Sequence, residues 1–332
     1  MFMNILLKTI DAHVAGQPLR LIVEGFPTPV GPTMLTKQRW LTKHHDGLRR
    51  LLMLEPRGHT DMCGAVLTEP VETGSHAGVL FMNTQGFGFV SIDGVIGVVT
   101  VALEKGLLQV ADETDIRLDT PVGTVRAVAT REGDRVNQVS VVAVPSFVSV
   151  PRLDVKLGAR DVSLDVAFGG GFYVIIDSET AGVPILPSYA PALSALGMEI
   201  AGVVESRVNV SHPELSHLRG LHGTIFTGLP HADDADLRSV TVSVNGQVDR
   251  SPGGNGTAAV MSVLDAMNLL PVDRPFVHES IIGTSFEGRI EQRILVGETS
   301  AIVPSVTGAA WITGDHAFFL DARDPVGHGF LL

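Results

Sequence analysis

The chain is poor in cysteine, in aromatic residues and in positive charge, and each shortage excludes something. Cys63 is the single cysteine, so no intrachain disulfide can form, and one thiol agrees with a reducing cytoplasm. Lys and Arg number 24 against 36 Asp and Glu, a formal net charge of -12. A surface of that sign repels phosphate backbones, and nucleic acid is not an expected partner. No apolar run approaches the roughly 18 residues that a membrane-spanning helix needs, so no membrane partner is expected. The opening MFMNILLKTI lacks a basic region, a long apolar core and a small-residue cleavage site, so no secretory leader is expected. Absent too are HExxH, any zinc-spaced Cys/His set, a Walker motif and a complete dinucleotide fingerprint. Neither a metal nor a cofactor is expected.

What is abundant is glycine, 36 residues with 19 prolines, dispersed along 332 positions. That dispersal reads as many tight turns between short elements, and the length suits two cores better than one. Val/Ile/Leu-rich runs at 19–24, 78–83, 139–144, 173–177, 240–244 and 301–303 are bounded by turn residues and read as strands. Segments 36–48, 61–67, 191–204 and 212–218 read as helical.

Two segments repeat one design. Gly86-Phe87-Gly88-Phe89-Val90-Ser91-Ile92-Asp93-Gly94 runs into an apolar helix over 95–103. Ser251-Pro252-Gly253-Gly254-Asn255-Gly256 runs into another over 257–267. A helix apolar on all faces belongs in a core, so two of them, one per half, imply two similar lobes. A helix N-terminus carries unsatisfied N–H groups and partial positive charge, and glycine lets a ligand approach the backbone. Such termini suit a carboxylate. Either loop alone reads equally well as a glycine turn that merely starts a helix.

The longer motifs resemble one family. Asp249-Arg250-Ser251-Pro252-Gly253-Gly254-Asn255-Gly256-Thr257 resembles the Asp-Arg-Ser-Pro-Cys-Gly-Thr-Gly-Thr signature of the proline racemase family. Residues 83–97 resemble its first signature, built around Met-Cys-Gly-His. Asp11-Ala12-His13, Gly16-Gln17-Pro18-Leu19-Arg20, Glu55-Pro56-Arg57-Gly58-His59, Phe168-Gly169-Gly170-Gly171-Phe172-Tyr173 and Gly308-Ala309-Ala310-Trp311 resemble further family elements in the same order. The resemblance implies an α+β fold of two diaminopimelate-epimerase-like lobes. Each would be a barrel-like, mainly antiparallel sheet around a central helix, with the active site between the lobes. Residues 1–120 with 308–332 are expected to form the first lobe and 121–307 the second. Family members are commonly homodimers without cofactors, working on the α-carbon of proline and hydroxyprolines.

In that family two cysteines, one per loop, exchange the α-proton, and here their positions hold Ser91 and Gly253. The family's histidine two residues beyond the first cysteine is Asp93. A two-thiol racemase is therefore excluded. Elimination of water tolerates the loss of one acid–base group better than epimerisation does, so dehydration of trans-3-hydroxy-L-proline is the first expectation. An epimerase or racemase using non-thiol groups, and a binder of a proline-like ligand, stay open as alternatives. Ser91, Asp93 and Asp249 are the candidate acid–base residues. Asp93 is also a natural N-cap for a helix beginning near Gly94. Asp249 matches the residue that contacts the substrate's ring nitrogen in the family. Asn83, Gly94, His222, Gly253, Gly254, Asn255, Gly256 and Thr257 are the candidate substrate-binding residues, and His59 reads as a supporting one.

Overall fold

The computed structural model describes residues 5–88, 90–108, 110, 115–271 and 273–331; Phe89 of the first loop lies outside them. The chain divides into two compact units, Met1–Val141 with Ala309–Leu332, and Val142–Gly308. The first holds β1 (Ile5–Val14), β2 (Gln17–Glu24), α1 (Met34–Met53), β3 (Cys63–Thr68), β4 (Ala77–Asn83), α2 (Ile92–Glu104), β5 (Asp115–Thr120), β6 (Gly123–Glu132), β7 (Arg135–Val142) and the last strand, β16 (Ala310–Leu320). The second holds β8 (Ser146–Leu157), β9 (Arg160–Phe168), β10 (Phe172–Asp177), α3 (Ser178–Ala181), α4 (Ala190–Glu205), β11 (Leu221–Gly228), β12 (Leu237–Ser243), α5 (Gly254–Ala266), β13 (Phe276–Ser280), β14 (Ser285–Val296) and β15 (Thr299–Gly308). The expected break near residue 120 falls inside the β5–β6 hairpin, whose tight register keeps both strands in the first unit.

Each unit is an α+β structure, and the two repeat one topology. In the second, strands run in the order β8 to β15, and β15 pairs with both β14 and β8, closing an eight-stranded barrel. In the first the order is β16, then β1 to β7. The parallel pairings fall at the same places, β2–β3 and β4–β5 against β10–β11 and β12–β13. Parallel neighbours need a crossover, and a helix makes each one: α1 and α2 in the first unit, α4 and α5 in the second.

The two apolar helices are central, as their composition requires. α5 packs against β8, β9, β10, β14 and β15, and α2 against β1, β2, β3, β6 and β16. Val95, Ile96, Val98, Val99 and Val101 of α2 are fully buried. Burying such side chains stabilises by about 1.5–3 kcal/mol each, which fixes the helix more firmly than its own propensity would. Family motifs far from the loops act here as scaffold. Arg20 grips Asp11 through Nη2 at 2.8 Å and donates to the carbonyls of Leu52 and Arg57. Gly58 is small because a Cβ there would stand 2.1 Å from Met53 O.

A buried carboxylate also repeats. Asp119 of β5 accepts from Val71 N, Glu72 N, Ser75 Oγ and Thr124 Oγ1; its counterpart Glu279 of β13 accepts from His231 N. Burial pushes the Asp119 pKa up, but these hydrogen bonds outweigh it and hold the carboxyl below its ordinary value.

Two helical expectations are corrected. Residues 63–67 of the segment 61–67 belong to strand β3, paired with β2 and β4. A short apolar run fits either period, and strand neighbours decided it. Segment 212–218 is an irregular turn, in which His212 Nδ1 accepts from the N–H groups of Glu214 and Leu215. No described helix is long and apolar enough to cross a membrane.

Candidate active site

The first loop begins where β4 ends. Asn83 Oδ1 accepts from Gln85 N at 2.8 Å and Gly86 N at 3.0 Å, turning the chain, while Arg49 Nη1 donates to Asn83 O. Asn83 thus shapes the loop. Cys63 pairs with Asn83 across β3 and β4, so the only thiol stands at a strand end beside this loop.

The N-cap of α2 is Ser91, not Asp93. Ser91 is extended, with φ -131° and ψ 118°, and its Oγ accepts from Gly94 N at 3.0 Å. A serine hydroxyl that satisfies an orphan helix N–H is a capping group first. Asp93 lies in the first helical turn, where the helix field favours a negative charge. Gly94 is explained by packing, since a Cβ there would meet the Phe81 ring at 2.4 Å. Its N–H is already held by Ser91.

The second loop is built differently. Gly253 caps α5 with φ 74° and ψ 112° and offers no side chain. That φ lies in the left-handed region, where glycine avoids the roughly 1–2 kcal/mol that an L side chain incurs. Ser251 Oγ accepts from Gly253 N at 3.1 Å and fixes the turn. A Cβ on Gly253 would stand 3.4 Å from Asp249 Oδ2 and 3.4 Å from Thr241 Oγ1. The Asp249 carboxylate therefore lies beside the position where a side chain is missing, and its backbone N–H is anchored to Thr241 O at 3.0 Å.

Gly254, Asn255 and Gly256 form the first turn of α5, at the partially positive end of the helix. Thr257 is buried and engaged on both sides, its N–H by Gly253 O and its Oγ1 by His278 Nδ1 at 2.9 Å. It holds the loop's shape from below. Asn255 is seated against Gly169 and Gly170, where an added Cβ would come within 2.3 Å of it. This gives the mid-chain glycine turn a steric purpose.

His222 is an exposed residue that stacks edge-on to Tyr173 at 5.4 Å. Partial desolvation by its neighbours lowers its pKa from the ordinary value. His59 is exposed and accepts from Asp61 N in a local turn, a supporting place. Thr241 is the residue that sequence reading missed. Its signal was an alternation, Ser239-Val240-Thr241-Val242, polar on one face of a strand buried on both. Among the described residues, no group of three His, Cys, Asp or Glu could hold a metal ion.

The second loop therefore presents a helix N-terminus and the Asp249 carboxylate beside a position without a side chain, a set suited to binding a small carboxylate and moving a proton near it. Comparison with known proteins places the whole chain in one family. The family model described as proline racemase matches residues 9–331. A trans-3-hydroxy-L-proline dehydratase from Bacillus cereus is 42% identical over 325 residues, covering 98% of this chain and 97% of the relative. A proline racemase from Acetoanaerobium sticklandii is 37% identical over 327 residues, covering 98% of each. The crystal structure of a hydroxyproline epimerase from Agrobacterium vitis with bound trans-4-hydroxy-L-proline superposes with a TM-score of 0.90 at 29% identity, covering 100% of this chain and 97% of that one. With fold and full-length likeness in agreement, the chain belongs to the proline racemase family and is an enzyme of the isomerase or lyase kind.

Proposed function

We propose that the chain dehydrates a 3-hydroxyproline, with trans-3-hydroxy-L-proline as the preferred isomer. The observation that carries this reading is Gly253, a position without a side chain but with the Asp249 carboxylate beside it. Epimerisation needs a base on one face of the α-carbon and an acid on the other. In trans-3-hydroxyproline the hydroxyl is opposite the carboxylate, so it shares a ring face with the α-hydrogen. Loss of both is a one-face event and does not require a matched pair of proton carriers.

Asp249 is the base in this reading. It takes the α-proton, and the released electron pair forms the C2–C3 double bond. The C3–O bond breaks, and protonated Asp249 returns its proton on the same face to the leaving oxygen, which departs as water while the carboxylate is regenerated. The enamine then tautomerises to the cyclic imine. The first-turn N–H groups of Gly254, Asn255 and Gly256 hold the substrate carboxylate as charge builds on the α-carbon. His222 lines the substrate's place. The similarity to a trans-3-hydroxy-L-proline dehydratase supports the substrate class.

The test is incubation of the purified protein with each 3-hydroxyproline isomer, with o-aminobenzaldehyde to trap the imine. Colour from the trans isomer supports the reading. An inverted isomer without imine would assign an epimerase with non-thiol groups. Silence towards every isomer, with ligand-induced stabilisation, would leave a binder.

A further inference from the structure

Buried side-chain atoms without a hydrogen-bond partner are rare in folded proteins, and each calls for a reason. Among the described residues they are Arg238 Nε, Ser239 Oγ, Thr241 Oγ1 and His278 Nε2, all on the adjacent strands β12 and β13. Ser239 and Thr241 share a face with Leu237, and His278 shares one with Phe276; both Leu237 and Phe276 pack in the cluster formed with α5. Three of the four atoms thus belong to residues that face the helix whose N-terminus carries the second loop. Thr241 is 4% exposed.

The internal repeat shows that packing does not require this hydroxyl. Strand registers pair Gly78 with Asp119 in the first unit and Arg238 with Glu279 in the second, which makes Phe81 of β4 the counterpart of Thr241. Helix caps make Gly94 the counterpart of Gly256. In the first unit the Phe81 ring covers its glycine, 2.4 Å from an added Cβ. In the second, Thr241 Oγ1 stands 3.2 Å from a Cβ added to Gly256 and 3.4 Å from one added to Gly253. An apolar lid has been exchanged for a hydroxyl at the loop that lacks a side chain, next to the Asp249 carboxylate.

We propose that Thr241 is a positioning residue of the second loop, its hydroxyl donating directly to the Asp249 carboxylate in the working enzyme, across the place left open by Gly253. Ser239 and His278 continue the polar track behind it. This deepens the dehydratase reading and rests on it only for the identity of the substrate. A donor network on a carboxylate stabilises its charged form and orients it for proton transfer.

Thr241→Val is the test, because it keeps the shape and removes only the hydroxyl. The inference predicts kcat lower by roughly tenfold, with KM little changed. The acidic limb of the pH profile of kcat/KM moves to higher pH, since the base loses donors that favour its ionised form. Thr241→Ser restores both. A merely structural hydroxyl predicts the reverse: kcat and pH profile unchanged, and a raised Tm because an unsatisfied buried group has been removed. That outcome overturns the inference. A second arm does not depend on the substrate. The Tm values of wild type, Thr241→Val, Asp249→Asn and the double variant form a cycle, which the inference predicts to be non-additive and which additivity would overturn. If the wild-type protein is inert towards every hydroxyproline, the dehydratase reading fails, and the cycle alone decides the role of Thr241.

Discussion

Gly253 and Asp249 carry the chemical argument at the scale of single residues. Sequence alone revealed that the second thiol position is glycine, but not what surrounds it. The structure adds two facts that no spacing could supply: a φ of 74° at Gly253, and a carboxylate oxygen 3.4 Å from the position of its absent Cβ. If Asp249 is the base, Asp249→Asn lowers kcat by about 100-fold or more while the fold persists. Steady-state kinetics beside a circular-dichroism melt checks this, and full activity in the folded variant would remove Asp249 from the chemistry. Thr257 shows what residue-level reading leaves out. Its place in the signature suggested a ligand contact, and the structure adds that its hydroxyl is hydrogen-bonded to buried His278.

At the scale of elements, apolar composition was the most legible signal. The helices after both glycine loops, and the strands at 19–24 and 78–83, were readable because burial leaves long uniform runs. Cap identity was not readable, because Ser91 and Asp93 are both favoured caps and stand two positions apart. The structure gives the cap to Ser91. Ser91→Ala is therefore expected to lower stability by about 1 kcal/mol, and Asp93→Ala by less, in denaturant unfolding. Equal losses, or the opposite order, would return the cap to Asp93. Strand β3 was misread as helix because six residues hold less than two helical turns, too few to separate a period of 2 from one of 3.6.

The whole molecule is one topology used twice, and its buried titratable groups set how it responds to pH. His278 is fully buried, and desolvation lowers its pKa to about 3. The unfolded chain binds that proton near the ordinary value of 6.5, so stability is complete above pH 6.5 and declines as pH falls towards 3. His212, also lowered by burial, acts in the same direction. Between pH 6.5 and 4.5, Tm is expected to fall with acidification, His278 contributing up to about 1.4 kcal/mol per pH unit. His278→Gln should flatten that slope; an unchanged slope would show that His278 takes up its proton in the folded state. The two-lobed plan was legible from the repeated loop and helix design and its barrel-like sheets from the family resemblance, whereas the parallel pairings and the tethering carboxylates Asp119 and Glu279 depend on strand register that sequence does not spell out.

The central claim is that this member of the family eliminates water where the two-thiol members exchange a proton. Proton NMR in deuterium oxide tests it most directly, with the purified protein and the isomers of 3-hydroxyproline, 4-hydroxyproline and proline. The account predicts loss of trans-3-hydroxy-L-proline, appearance of imine signals, and no inverted isomer from any substrate. Deuterium entering the α-carbon with inversion and an intact ring, or unchanged spectra for both 3-hydroxyproline isomers, would contradict it.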